Sequence, residues 1–131
     1  MAASVGFIGL GNMGRPMAEN LVKGGFALVV HDVDPARTVA LRERGAAVAD
    51  SPDAVAAAAT RTIVMVETTA QAEDVIAGAR GIVHGARPGH IVVCMSTIDP
   101  FAARSLGDRL GGDGVSMLDA PVSGGTGRAV S

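Results

Sequence analysis

Gly9, Gly11 and Gly14, followed by Asp32 at the end of the next apolar run, are the residues here best suited by type and spacing to chemistry. The stretch Gly9-Leu10-Gly11-Asn12-Met13-Gly14 sits between an apolar run, Ser4-Val5-Gly6-Phe7-Ile8, and a helical pattern in which Met13, Met17 and Leu21 recur every four residues. Glycine at the first position permits a tight turn out of a strand. At the second it lets the backbone approach an anion, and at the third it lets a helix pack against the strand. Free N–H groups and the positive end of the helix dipole then favour a pyrophosphate. Asp32, which closes the run Ala27-Leu28-Val29-Val30-His31, is placed to accept hydrogen bonds from ribose hydroxyls. The layout predicts a dinucleotide-binding βαβ unit. With 18 Gly in 131 residues, the triple spacing arises by chance roughly 0.3 times in a chain this long. The strand before it, the helix after it and the acidic residue beyond it therefore carry the argument against a ligand-free glycine turn.

The elements that must position these residues alternate along the chain. Apolar runs predict strands near 4–9, 27–31, 46–48, 61–66, 89–94 and 115–119, with helices near 12–24, 35–44, 52–59, 70–78 and 99–111. Gly24-Gly25 marks the end of the first helix. Asp34-Pro35, Ser51-Pro52 and Asp99-Pro100 mark the starts of three others, with proline at the first helical position. The segment 79–86 is ambiguous. Short apolar strands alternating with helices imply an α/β fold, a doubly wound parallel sheet with ligands at the carboxyl ends of its strands.

Composition narrows the function classes. The chain is 48% apolar and carries a net charge of −2 with no basic block. Nucleic acid and anionic membrane are thus not expected as partners. Three Phe with no Trp or Tyr leave few stacking platforms for single strands. Cys94 is the single cysteine, which excludes an intrachain disulfide framework and a cysteine-rich metal site. No apolar run is long enough for a membrane span, and the first expected strand leaves no room for a leader. A cytoplasmic location is the expectation.

Three further strand ends carry polar residues: Met65-Val66-Glu67-Thr68-Thr69, Met95-Ser96-Thr97 and Asp119-Ala120-Pro121-Val122-Ser123-Gly124-Gly125. Taken alone, the last is a loop able to aim donors at an anion, or an ordinary turn. Taken in order with the glycine loop, the four segments resemble the β-hydroxyacid dehydrogenase family, which includes 3-hydroxyisobutyrate dehydrogenase and 2-hydroxy-3-oxopropionate reductase. The resemblance spans residues 4 to 131. Phe7 to Gly14 with Pro16-Met17-Ala18 is similar to the family's cofactor signature, and Asp119 to Gly125 to its substrate motif.

The resemblance implies a nicotinamide-dependent oxidoreductase acting on a short 3-hydroxy acid or its semialdehyde. It implies cofactor contacts from Gly9, Leu10, Gly11, Asn12, Met13, Gly14, Asp32, Val66, Glu67, Gln71 and Thr97, and substrate-carboxylate contacts from Ser123, Gly124 and Gly125. Glu67 stands where relatives commonly have proline, and Cys94 where many have an acidic residue. Asp32 favours NAD by repelling a 2′-phosphate; Arg37 keeps NADP open. The family's catalytic lysine lies in a helical second domain. Lys23, the only lysine of this chain, does not match it, so no catalytic residue is expected within residues 1–131. The expectation is an incomplete dinucleotide-binding domain, largely inactive alone and prone to self-association at an open sheet edge. The alternatives are a non-catalytic dinucleotide-binding or assembly module, and a related imine reductase or 6-phosphogluconate dehydrogenase.

Overall fold

A computed structural model describes residues 4–121; Ser123, Gly124 and Gly125 lie outside the described residues. The chain runs β1 (Val5–Ile8), α1 (Gly14–Lys23), β2 (Leu28–His31), a 3₁₀ turn (Pro35–Thr38) leading into α2 (Val39–Glu43), and β3 (Ala47–Val48). It continues with α3 (Pro52–Ala58), β4 (Arg61–Val64), α4 (Thr69–Ala77), a 3₁₀ turn (Ile82–His84), β5 (Ile91–Cys94), α5 (Pro100–Gly111) and β6 (Ser116–Asp119).

The six strands form one parallel sheet in the order β3-β2-β1-β4-β5-β6. The order reverses between β1 and β4, the switch point at which ligands settle in such sheets. Ile8 pairs in register with His31 and with Val64, and Val64 with Cys94. The loops after β1, β2, β4 and β5 therefore leave the sheet at one level.

Alternation along the strands sends side chains to opposite faces. Phe7, Leu28 and Val30 pack with Ala18 of α1 and Leu41 of α2. On the other face Ile8, Val29, Val64 and Val92 pack with Val55 of α3, Ile76 of α4 and Leu110 of α5. Helices thus cover both faces, which is why β1, β2 and β5 read as apolar runs.

The expected element order is the observed one, with one correction. The single helix expected over 35–44 is a 3₁₀ turn joined to a five-residue α-helix. Asp34 accepts from the Ala36 N–H, and the Thr38 hydroxyl donates to the Pro35 carbonyl at 2.7 Å. These local bonds compete with the α-helical pattern. The ambiguous segment resolves into the turn at Ile82–His84, anchored by a fully buried Ile82. Among the described residues β6 is flanked on one side only, by β5, and Leu118 on it is exposed.

Candidate functional site

The β1–α1 loop is built around two glycines that packing requires. Gly9 has φ of +100°, a left-handed conformation, and a Cβ there would lie 2.1 Å from the Met65 carbonyl oxygen. A Cβ on Gly14 would lie 1.8 Å from the Gly9 carbonyl oxygen and 3.2 Å from the Phe7 ring. The helix can therefore start directly over the strand only without a side chain at that point.

Gly11 is different. Its φ is not positive, and a Cβ there would meet no backbone, only Arg37 Nη1 at 3.5 Å and Glu67 Oε1 at 3.7 Å. Both are ordinary contacts with mobile side chains. Nothing in the packing of the chain demands glycine at position 11. What the missing side chain does is leave the loop backbone open to something outside the chain. A dinucleotide pyrophosphate fits that cradle at the positive end of α1, where the Arg15 N–H is already bonded to the Gly11 carbonyl at 3.0 Å and the loop backbone faces outward.

Asp32 is buried, 7% exposed, yet its carboxylate is engaged. The Leu10 N–H donates to Oδ2 at 2.7 Å and the Asp34 N–H to Oδ1 at 2.8 Å. Arg37 Nη1 lies 3.9 Å from Asp32 and its Nε 3.8 Å from Asp34. The residue expected as a ribose acceptor is therefore also the fastener that pins the glycine loop to the end of β2. Each oxygen has accepted one backbone hydrogen and keeps lone-pair capacity for a further donor. His31, beside it, turns Nδ1 to the Ala49 carbonyl at 3.0 Å.

The far wall comes from the ends of β4 and β5. The Val66 N–H donates to the Ser96 hydroxyl at 2.8 Å, and that hydroxyl faces the Val64 carbonyl at 3.5 Å. Ser96 is fully buried and stitches the two loops together. Thr68 caps α4 in a reciprocal box with Gln71: the Gln71 N–H donates to the Thr68 hydroxyl at 3.1 Å. Gln71 Oε1 in return accepts from the N–H groups of Glu67 and Thr68 at 2.9 and 3.1 Å. Gln71 thus fixes the loop that presents Glu67.

Between these walls lies a crevice of about 630 Å³, within the range of ligand sites. It gathers Gly9, Gly11, Asn12, Met13 and Gly14 from the loop, and Asp32 from β2. Val66, Glu67, Gln71 and Thr97 come from the far side. Leu10 alone among the described expected contacts turns its side chain into the core, and meets the site through its N–H. Sequence reasoning missed Ser96, Ser51, Asp74 and Arg80, of which the last three also line the crevice. Ser96 stood in the strand-end segment Met95-Ser96-Thr97, and its burial, which explains its role, emerges only in the fold.

His90, Cys94 and Lys23 do not line the crevice. His90 is buried with Nε2 2.8 Å from the Thr62 hydroxyl, and burial holds its pKa below 6.5. Cys94 is buried, which raises its thiol pKa and keeps it protonated. Lys23 is exposed at the last turn of α1, about 15 Å of helix from the glycine loop. Among the described residues no cluster of His, Cys, Asp or Glu could hold a metal ion, and no helix is long and apolar enough to cross a membrane.

Comparison with known proteins gives similarities to a family model, to relatives and to a solved structure. The family model described as the NAD binding domain of 6-phosphogluconate dehydrogenase matches residues 4–131. The chain is 45% identical over 127 residues to the mitochondrial 3-hydroxyisobutyrate dehydrogenase of Mus musculus, covering 97% of this chain and 38% of that protein. It is 36% identical over 131 residues to the L-threonate dehydrogenase of Cupriavidus necator, covering 100% of this chain and 44% of that one. Among solved structures, 3-hydroxyisobutyrate dehydrogenase of Mycobacterium tuberculosis with L-serine superposes with a TM-score of 0.85 at 32% identity. That match covers 99% of this chain and 44% of the other. The chain thus spans well under half the length of these relatives.

Proposed function

The chain belongs to the family of the NAD binding domain of 6-phosphogluconate dehydrogenase, and from that premise we propose that residues 1–131 hold the cofactor of a dehydrogenase acting on a short 3-hydroxy acid. The substrate class is that of 3-hydroxyisobutyrate dehydrogenase or 2-hydroxy-3-oxopropionate reductase. The observation that carries this reading is Gly11: its bare backbone faces the crevice, and no contact within the chain requires it.

In this reading a bound nicotinamide dinucleotide supplies the hydride chemistry, and the chain orients it. The loop from Gly9 to Gly14 and the first turn of α1 hold the pyrophosphate. Asp32 fixes the loop through Leu10 and accepts from the ribose. Ser96 holds the Val66 wall rigid, and Thr97 stands beside the nicotinamide end. Ser123, Gly124 and Gly125 receive the substrate carboxylate. The proton exchanged at the substrate hydroxyl is assigned to a lysine outside residues 1–131, since Lys23 lies away from the crevice. A cytoplasmic setting and association of copies along the exposed β6 edge complete the proposal.

The buried Asp32 carboxylate favours NAD over NADP, because it would face a 2′-phosphate. Calorimetric titration with NADH and NADPH tests this. Tighter NADH binding by about tenfold or more, equal to about 1.4 kcal/mol, is expected. Asp32→Ala should abolish the preference and weaken both ligands, because the Leu10 N–H loses its acceptor. Equal affinities in the wild type, or a preference for NADPH, would contradict the assignment.

A further inference from the structure

The lining of the crevice carries a charge arrangement that an anion-binding loop does not need. Five lining residues are acidic and two, Arg37 and Arg80, are basic. Arg80 reaches Asp53 at 3.6 Å, and Arg15 of α1 is turned to Glu19 at 3.4 Å. Arg37 is the guanidinium that overlooks Gly11. From the opposite wall Glu67 overlooks the same point, so the two charged heads flank one small volume above the loop. Both line the main crevice and also a neighbouring cavity of about 410 Å³ that shares Gly11 and Asn12 with it. They stand at the boundary between the two. Glu67 is presented from a held backbone, since its N–H is bonded to Gln71. Arg37 is tethered from below by Asp32 and Asp34.

We propose that Glu67 is a built-in competitor for Arg37, placed so that the chain's own carboxylate opposes the cofactor's pyrophosphate at the glycine loop. This rests on reading the crevice as the dinucleotide site. In the free protein Arg37 Nη1 and Glu67 Oε1 both border the space above Gly11, while Arg37 makes its ion pairs with Asp32 and Asp34. On binding, Arg37 turns its charge toward the pyrophosphate, and Glu67 must swing outward from a like charge. Glu67 is then a positioning residue that lowers affinity, and it acts through Arg37 rather than by simple repulsion alone. The two effects separate in a double-mutant cycle. Repulsion by itself gives the same gain on removing Glu67 whether or not Arg37 is present. Competition for Arg37 gives a larger gain when Arg37 is present.

The experiment is calorimetric titration with NADH at low ionic strength for the wild type, Glu67→Gln, Arg37→Gln and the double variant. Thermal unfolding of each serves as a folding control. Glu67→Gln should tighten binding about fivefold in the wild-type background and less than about twofold in the Arg37→Gln background. The difference should shrink as salt is raised. Equal gains in both backgrounds, or weaker binding by Glu67→Gln, would overturn the competitor role and leave the cofactor site standing. No NADH binding by any of the four folded chains would overturn the cofactor site and the competitor together.

Discussion

Three glycines in one six-residue loop answer to three different forces. Gly9 is held by its backbone angle, Gly14 by the oxygen of Gly9, and Gly11 by neither. The spacing of the three is visible in the sequence, but the distinction between them is not, because it depends on what each absent Cβ would touch. Asp32 shows the same limit. Its type and place at the end of β2 were legible; its bonds to the N–H groups of Leu10 and Asp34 were not, since they join segments that meet only in the folded chain. His90 follows this pattern and yields a pH dependence. Burial beside Thr62 lowers its pKa from 6.5, so the unfolded chain takes up a proton there before the folded chain does. Stability from this residue is intact above pH 6.5 and declines as pH falls through that value. Asp53, whose pKa is lowered from 3.8 chiefly by the Ser51 hydroxyl, has the same proton balance, so its contribution also declines as pH falls, but only in a more acid range. The unfolding midpoint should therefore drop between about pH 7 and about pH 5, and the drop should be smaller in His90→Gln. A slope unchanged by that substitution would show that other groups set it.

At the scale of elements, the parallel sheet and its helices were legible because the central strands β1, β2 and β5 are buried on both faces and read as apolar runs. Proline after Ser51 and Asp99 located two helix starts, since each capping side chain accepts from the first turn. The same signal at Asp34-Pro35 misled: the local bonds of Asp34 and Thr38 favour a 3₁₀ turn first. The turn at Ile82–His84 had no local signal at all. It is closed by local bonds such as that from the His84 N–H to the Gly81 carbonyl at 3.0 Å and is seated by buried Ile82 and by Gly85, where a Cβ would be 1.9 Å from the Asp53 carbonyl oxygen. The β6 edge belongs to this scale as well. With Leu118 exposed and a neighbour on one side only among the described residues, it offers a row of backbone groups for pairing. Sedimentation of the 131-residue chain should show mass rising with concentration. A constant monomer mass would count against association at that edge.

For the whole molecule, the strand order β3-β2-β1-β4-β5-β6 brings four loop ends to one rim and leaves the crevice where the order reverses. The position of the crevice follows from that arrangement, while the family is shown by the match over residues 4–131. In the proposed function the substrate side is assigned to Ser123 to Gly125, beyond the described residues. The central claim is therefore that this rim holds a dinucleotide by its bare loop backbone. The most direct test is NADH titration of the wild type against Gly11→Ala, with the unfolding temperature of both. Position 11 has space for a methyl group and no positive φ, so the variant should fold with an unchanged midpoint. Its NADH affinity should fall by about tenfold or more, because the methyl group occupies the approach to the loop. Undiminished binding in a folded Gly11→Ala chain would contradict the claim that the pyrophosphate lies there.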